Sequence, residues 1–525
     1  MVDGLVRAIG TGAFVADDLA TTFGVLFSVI WVVSALYAVA TVPRAERGRL
    51  FAYFLPAAAG GIGVAFAADA VSFYLCFALM ALPSWGLVTH PRTEEARRAG
   101  AAYLGVTVLG EALLLAALMI LAAEAKSVQL AELRGALAGA EHAGLAFALV
   151  VAAFGLKLGA IGASGALPLT YGTAPAGAAA ALAGATVKVG VLGLLRLLPL
   201  GEVVPEAWGT AVIVVGLLTA FGAAALGVLT TTPRAVLGYS SASQMGLVLI
   251  GVGAGLADPA AGSYAIAAAV AYSVHHGLAK ATLFLGEDVF RHAPSGSRRV
   301  TLVALALPAL ALVGAPLTSG FVAKYALKHA VHDAAGALPH LAGTLLSWAA
   351  VGTALLMLRF FVLLMRETPR GGAALAENSA RAPRRAASAM WALMLGLVAG
   401  ATWLWPADWA ADAVHSALEP SSLVGATWPG LVALAAALLA SRLARGNHDL
   451  RAGIVPPGDL VAGATRVFSA WLAPTVEPAP APVGLRRRTD ELPRALLAAE
   501  GSLTVWAVAA GIFVVVAILI VALAA

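Results

Sequence analysis

The stretch that decides the fold is GSYAIAAAVAYSVHHGLAKATLFLG, residues 262–286. It is long and apolar enough to cross a bilayer as a helix, which takes about 20 residues. Yet its middle carries His275, His276 and Lys280. His276 and Lys280 are four residues apart and therefore share one helical face. Ionisable groups at mid-depth in an apolar span face a protein interior rather than lipid. The segment therefore predicts a bundle of membrane helices with a polar, functional interior.

The rest of the chain agrees. Of 525 residues, 61% are hydrophobic and 12% charged, against about 25% charged in ordinary soluble domains. Mean hydropathy is +0.90. This excludes a soluble multidomain enzyme and a disordered chain. Fourteen segments qualify as spans: 20–42, 50–68, 71–90, 100–123, 143–163, 174–200, 209–229, 233–254, 262–286, 300–325, 341–365, 387–405, 423–441 and 502–525. Runs this long and apolar are helices, because lipid leaves backbone groups no outside partner. The fold class is an all-α polytopic membrane protein of about 14 helices. The first 17 residues hold Asp3, Arg7 and Asp17 and no apolar core, so no cleavable signal peptide is expected.

Loop charge orders the spans. Alternating loops place 23 cations on one side, from Arg44 to Arg494, and four on the other: Arg7, Lys126, Arg134 and Lys328. The positive-inside rule makes the first side cytoplasmic and puts both termini outside, in a multi-pass protein of the cell's inner (plasma) membrane. Placed in loops, the basic excess (pI about 9.4) implies a lipid surface and no nucleic acid. The expected organisation is an N-terminal segment and first helix (1–49), five-helix units at 50–200 and 209–365, and two further helices (366–441). A cytoplasmic loop (442–501) follows, with an amphipathic stretch at Leu460–Leu472, and then a last span (502–525). Glycines and prolines interrupt the fourth span of each unit: Gly155, Gly159 and Gly162 around Lys157, and Pro308, Gly314, Pro316 and Gly320 before Lys324. Paired broken helices point to a transport site, and five spans per unit make the repeat inverted.

The lysines carry the chemistry. The chain has 27 arginines but six lysines, and four of these, Lys157, Lys188, Lys280 and Lys324, fall within spans. Arginine stays protonated almost everywhere, whereas a desolvated lysine can release its proton near neutral pH. Glu111 is the one acid at mid-membrane. The expected proton relay is Glu111, Lys157, Lys188, His276, Lys280 and Lys324, with His275, His329 and His332 as accessory groups. The competing readings are lysines snorkelling to the interface and Glu111 as a packing residue. No further ligands converge on the histidines, so no metal is expected. One cysteine, Cys76, cannot make an intramolecular disulfide or an iron–sulfur cluster. With no nucleotide-binding glycine motif and no nucleophile triad, the chain is expected to hold no cofactor and to be a non-catalytic subunit.

Five segments carry a resemblance: GLKLGAIGASGALPLTYGTAP (155–175), ATVKVGVLGLLRLLP (185–199), TPRAVLGYSSASQMG (232–246), YSVHHGLAKATLFLGED (272–288) and GFVAKYAL (320–327). Together they resemble the antiporter-like subunits shared by respiratory complex I, Mrp-type cation/proton antiporters and membrane-bound energy-converting hydrogenases. The resemblance implies that Lys157 is the proton-binding lysine of the first broken helix and that Lys188 connects the halves. It also implies that His276 and Lys280 relay protons in the second half and that Lys324 releases them. Three departures stand out. The chain matches the family from the family's third helix onward. The family's glutamate within the motif at FYLCFALMALPSW (73–85) is Ala78 here, leaving Glu111 as the candidate substitute. The family's proline, histidine and tryptophan after the first lysine are absent, with Gly162, Ser164 and Ala166 in that region.

The expected function is proton translocation within a redox-driven complex of the quinone oxidoreductase or hydrogenase type, beside other membrane subunits and a peripheral cytoplasmic redox or zinc-containing subunit. The alternatives are an Mrp-type cation/proton antiporter subunit, the energising membrane subunit of an inorganic-carbon uptake complex, and a degenerate structural scaffold.

Overall fold

The computed structural model describes residues 13–139, 142–366, 381–401, 415–416 and 419–443. Their regular structure is helical, with two isolated bridges, Phe14 to Ala67 and Asp69 to Gln129. In chain order the helices are α1 (Asp18–Thr41), α2 (Arg44–Phe66), α3 (Ala70–Val88), α4 (Glu94–Ala125), α5 (Leu130–Gly139), α6 (Ala143–Leu158) and α7 (Ala166–Thr173). A single span follows, made of α8 (Ala176–Ala181), a π turn (Leu182–Thr186) and α9 (Lys188–Leu197). Then come α10 (Glu206–Leu229), α11 (Pro233–Ala257), α12 (Gly262–His292), α13 (Ser295–Val313), α14 (Ser319–Asp333), α15 (Ala337–Arg366), α16 (Arg381–Gly400) and α17 (Pro420–Leu443).

Among the described residues, nine helical spans are long and apolar enough to cross a membrane. The 31-residue α12 is not one of them, because its histidines and lysine lower its hydropathy. The chain is a polytopic membrane protein. The span expected at 502–525 and the amphipathic stretch at 460–472 lie outside the described residues.

Two boundaries differ from expectation. The stretch 164–173, read as a loop, is mostly the buried helix α7, so the first broken helix is α6 plus α7, joined through Gly159–Gly165. Its turn chemistry hid this: Gly159 (φ 72°) and Gly162 (φ 93°) adopt backbone conformations that favour glycine, and the chain then resumes a helix. Likewise the broken span expected at 300–325 ends later, at Asp333. Helix α13 stops at Val313 with Gly314 left-handed (φ 87°), and α14 restarts at Ser319 and runs to Asp333. The short α5 lies in a segment expected to be loop.

The α8–α9 span and α11 are buried along their whole apolar length, whereas the other spans bury between 33% and 56% of theirs. These two therefore form the centre, and the others turn one face outward. Small residues make the centre possible. A Cβ on Gly246 of α11 would lie 2.5 Å from the Ala220 amide and 2.7 Å from the Gly216 carbonyl of α10. Lipid supplies no hydrophobic drive between helices, so close backbone approach takes its place.

Ion pairs fix the ends. Asp17 caps α1, accepting from the Ala20 amide at 2.7 Å, and receives the Arg196 fork at 2.5 and 2.9 Å. The Arg196 hydrogen bond holds the Asp17 carboxyl below its usual range. Its contribution is therefore present above the unfolded carboxylate's pKa and lost as pH falls through the lower folded value. Because Asp17 is 42% exposed, water screens the pair to about 1 kcal/mol or less. Asp17→Asn should lower the Tm of the detergent-purified chain near neutral pH. The difference from wild type should begin to shrink below about pH 4 and vanish only at lower pH, once the folded carboxyl is protonated, and a difference independent of pH would refute the pair.

Candidate functional site

Lys157 occupies the last turn of α6, next to the break. Its Nζ lies 5.1 Å from the Phe77 ring centroid and 5.9 Å from that of Tyr103, an arrangement that stabilises a cation. Glu111 on α4 is buried and interacts electrostatically with Lys157 without forming an ion pair. Its Oε1 has no hydrogen-bond partner. A cavity of about 40 Å³ touches Lys157, Phe77, Tyr103, Thr107, Tyr171 and Thr186. That is room for roughly two or three waters. The cavity reaches from the first lysine to the π turn that precedes the second.

Lys188 begins α9 and is fully buried. In the π turn the Val187 amide reaches back five residues to the Leu182 carbonyl (3.3 Å), and the Lys188 Nζ donates to the neighbouring Ala183 carbonyl at 2.5 Å. The π turn packs on α12, where a Cβ on Gly184 would lie 3.0 Å from the Gly277 oxygen. Gly277 adjoins His276.

On α12, His275, His276 and Lys280 are buried together. Lys280 Nζ donates to the Leu237 carbonyl of α11 at 2.9 Å. Neither ring nitrogen of His276 has a hydrogen-bond partner. His275 Nδ1 pairs with Ser319 Oγ at 2.9 Å. His275 thus touches the first residue of α14, and it lies within electrostatic reach of Lys188, Lys280 and Lys324.

Lys324 sits in α14 but folds back to cap α13. Its Nζ donates to the Val313 carbonyl at 2.6 Å, the negative end of that helix. It is an interior group at the second break rather than the end of a span. His329 and His332 follow on α14. His329 packs between Tyr325 (4.4 Å) and Tyr264 (5.7 Å), while His332 is exposed beside Asp333. Two other cations within spans lie apart from this row: Arg196 holds Asp17, and Arg359 donates to the Thr230 carbonyl.

Sequence reasoning missed several groups. Tyr103, two turns before Glu111 on the same helix, carried a periodicity signal. Tyr272, four residues before His276, carried one as well. Tyr272 donates to Gln244 Oε1 (2.5 Å) and Gln244 Nε2 donates to Thr353 (2.8 Å), a buried polar chain joining α12, α11 and α15. Nothing in the sequence brings Phe77, Ser319 or Thr353 to these places.

Among the described residues, none of the four interior ammonium groups is ion-paired with a carboxylate. Three donate to backbone carbonyls and the fourth faces aromatic rings. Residues 67–347, more than half of the chain, match the family described as NADH:quinone oxidoreductase/Mrp antiporter, TM. The chain belongs to that family. Within the family it is 26% identical over 282 residues to hydrogenase-4 component B of Escherichia coli (strain K12), covering 51% of this chain and 42% of that protein. It is 28% identical over 346 residues to NADH-quinone oxidoreductase subunit N of Ectopseudomonas mendocina (strain ymp), covering 61% and 67%. The fold superimposes on a chain of the Mrp complex from Dietzia sp. DQ12-45-1b with a TM-score of 0.70 at 22% identity, over 94% of this chain and 55% of that one. The chain spans about half the length of the relatives it matches first.

The break between α13 and α14 depends on Gly320. A methyl there would collide with the Ala311 carbonyl and approach His275 Cε1 at 2.9 Å. Gly320→Ala should cost about 1–3 kcal/mol by overpacking, read as a lowered Tm in detergent. Gly296→Ala, where a Cβ meets open space, should change little. Equal Tm values for the two would show that the break tolerates repacking.

Proposed function

We propose that this chain is the proton-translocating, non-catalytic membrane subunit of a multisubunit redox-driven complex of the quinone oxidoreductase or hydrogenase type. Protons move along Glu111, Lys157, Lys188, His276, Lys280 and Lys324, with His275 bridging the last two amines through Ser319. His329 and His332 lie beyond Lys324 as accessory groups at its outer end. The observation that carries this reading is that the interior amines meet neutral acceptors instead of carboxylates. An amine on a carbonyl can hold or release a proton without leaving a partner ion stranded, which an ion pair cannot do.

The cavity between Lys157 and Thr186 supports a hydrated link between the first two amines. So do the unpaired polar atoms of Tyr171, Thr186, Ser240 and His276, since buried polar groups need partners and water supplies them. Each amine's charge raises the cost of charging the next, so protons advance by alternation. In this reading Glu111 stands in for the acid missing at Ala78.

The architecture we infer is about 14 spans, with inverted five-helix repeats at 50–200 and 209–365, each broken in its fourth span. The arginine-rich loops face the cytoplasm and both termini the outside of the plasma membrane. The likeness to hydrogenase-4 component B supports a redox-driven complex with neighbouring membrane subunits and a peripheral redox subunit.

Lys188→Ala should leave assembly intact and reduce proton translocation by the reconstituted complex to background, followed with a ΔpH-sensitive dye. Normal translocation in an assembled Lys188→Ala complex would sink the relay and favour a scaffold. Glu111→Gln should slow translocation by about tenfold or more if this acid tunes Lys157. An unaffected Glu111→Gln variant would return that residue to packing.

A further inference from the structure

The row of amines leaves unused an ionic cluster at the far end of the Lys280 helix. Two turns beyond Lys280, Glu287 is fully buried and Asp288 partly so. Arg234, the second residue of α11, reaches three partners. Its Nε donates to Glu287 Oε2 at 2.9 Å, its Nη2 lies 3.8 Å from Asp288 Oδ1, and its Nη1 donates to the Ala174 carbonyl at 2.9 Å. Arg291 pairs with the other Glu287 oxygen, Tyr37 of α1 donates to Asp288 Oδ2 at 2.8 Å, and His292 lies 3.6 Å from Asp288. Two guanidinium groups thus balance two carboxylates. Guanidinium does not give up its proton, so the cluster holds geometry rather than carrying protons.

What it holds is specific. Ala174 is the residue at which α7, the second piece of the first broken helix, ends. The other end of α7 hangs on the Gly159–Gly165 link, which leads directly to Lys157. Between its ends α7 touches the two helices of the second half that bear on Lys280. The Tyr171 ring meets Phe284 of α12 edge-on at 5.3 Å. Pro168 lies so near Gly238 of α11 that a Cβ there would be 2.5 Å from its Cα. Gly238 adjoins Leu237, whose carbonyl receives Lys280.

We propose that Arg234 is a positioning residue that makes α7 a strut between the two halves, so that rearrangement at Lys157 displaces α12 at His276 and Lys280. The proposal rests on the proton-path reading above. It adds a mechanical link to the electrostatic one between neighbouring amines. Such coupling requires a physical element that both sites bias. Helix α7, hinged on glycines at one end and clamped at the other, is that element.

Arg234→Lys is the informative variant. It preserves the charge balance, but a point-like ammonium cannot serve Glu287 and Ala174 together as the planar fork does. Hydrogen exchange of the purified complex provides the readout. Arg234→Lys should raise exchange across 166–174 by about tenfold or more, as expected when a local clamp is lost. Glu111→Gln, which disturbs the Lys157 site, should alter exchange across 278–292 in the otherwise native chain and fail to do so in the Glu111→Gln/Arg234→Lys double variant. Where Arg234→Lys does not assemble, Glu287→Gln tests the same clamp from the other side. Unchanged exchange across 166–174 overturns the strut, as does a Glu111→Gln effect on 278–292 that is absent in the native background or persists without the clamp. Proton translocation separates the two levels. If Lys188→Ala abolishes it while the exchange signal bypasses Arg234, only the strut fails. If Lys188→Ala leaves it intact, the proton path fails and the strut with it.

Discussion

An ammonium group inside an apolar bundle must find a hydrogen-bond acceptor, and a regular helix has few to spare because each carbonyl already serves an amide four residues on. The interior lysines meet this constraint at irregularities and close crossings. Lys188 uses a carbonyl at the π turn, Lys324 the last carbonyl before the α13 break, and Lys280 a carbonyl of α11 reached across a helix crossing. The breaks are therefore part of the amine sites themselves. Straightening a helix would remove the acceptor and leave a cation in a low-dielectric interior, at a cost of several kcal/mol.

Lys157 answers the same constraint differently. It has no carbonyl of this kind; two aromatic faces and one nearby acid surround it. That acid, Glu111, comes from α4. Only the field at the amine matters to its proton, and that field can be supplied from any wall of the cavity.

Arginine and lysine divide the work by chemistry. Arginines hold fixed pairs, Arg196 on Asp17 and Arg234 on Glu287, where a permanent planar fork locks two or three groups at once. Lysines occupy the interior places, where in the proposed path charge comes and goes. The same division separates arginine clamps at the helix ends from the row of amines inside the bundle. It also explains why removing a clamp and removing an amine should produce different defects.

Much of this was legible in one dimension. Hydropathy and length determined a helical membrane bundle. The His276–Lys280 spacing determined a shared polar face, and the glycines and prolines near Lys157 and Lys324 marked both breaks. These features are local, set by backbone chemistry within a few residues. What the sequence could not carry was partnership across helices. Tertiary packing alone put Phe77 and Tyr103 around Lys157, Ser319 on His275 and Arg234 between Ala174 and Glu287. It also turned 166–173 from an expected loop into a buried helix, because α11 and α4 lie against its apolar side chains and Arg234 of α11 holds the carbonyl at its C-terminal end. Burial and hydrogen bonding depend on neighbours distant in sequence, and no local pattern encodes which neighbours those are.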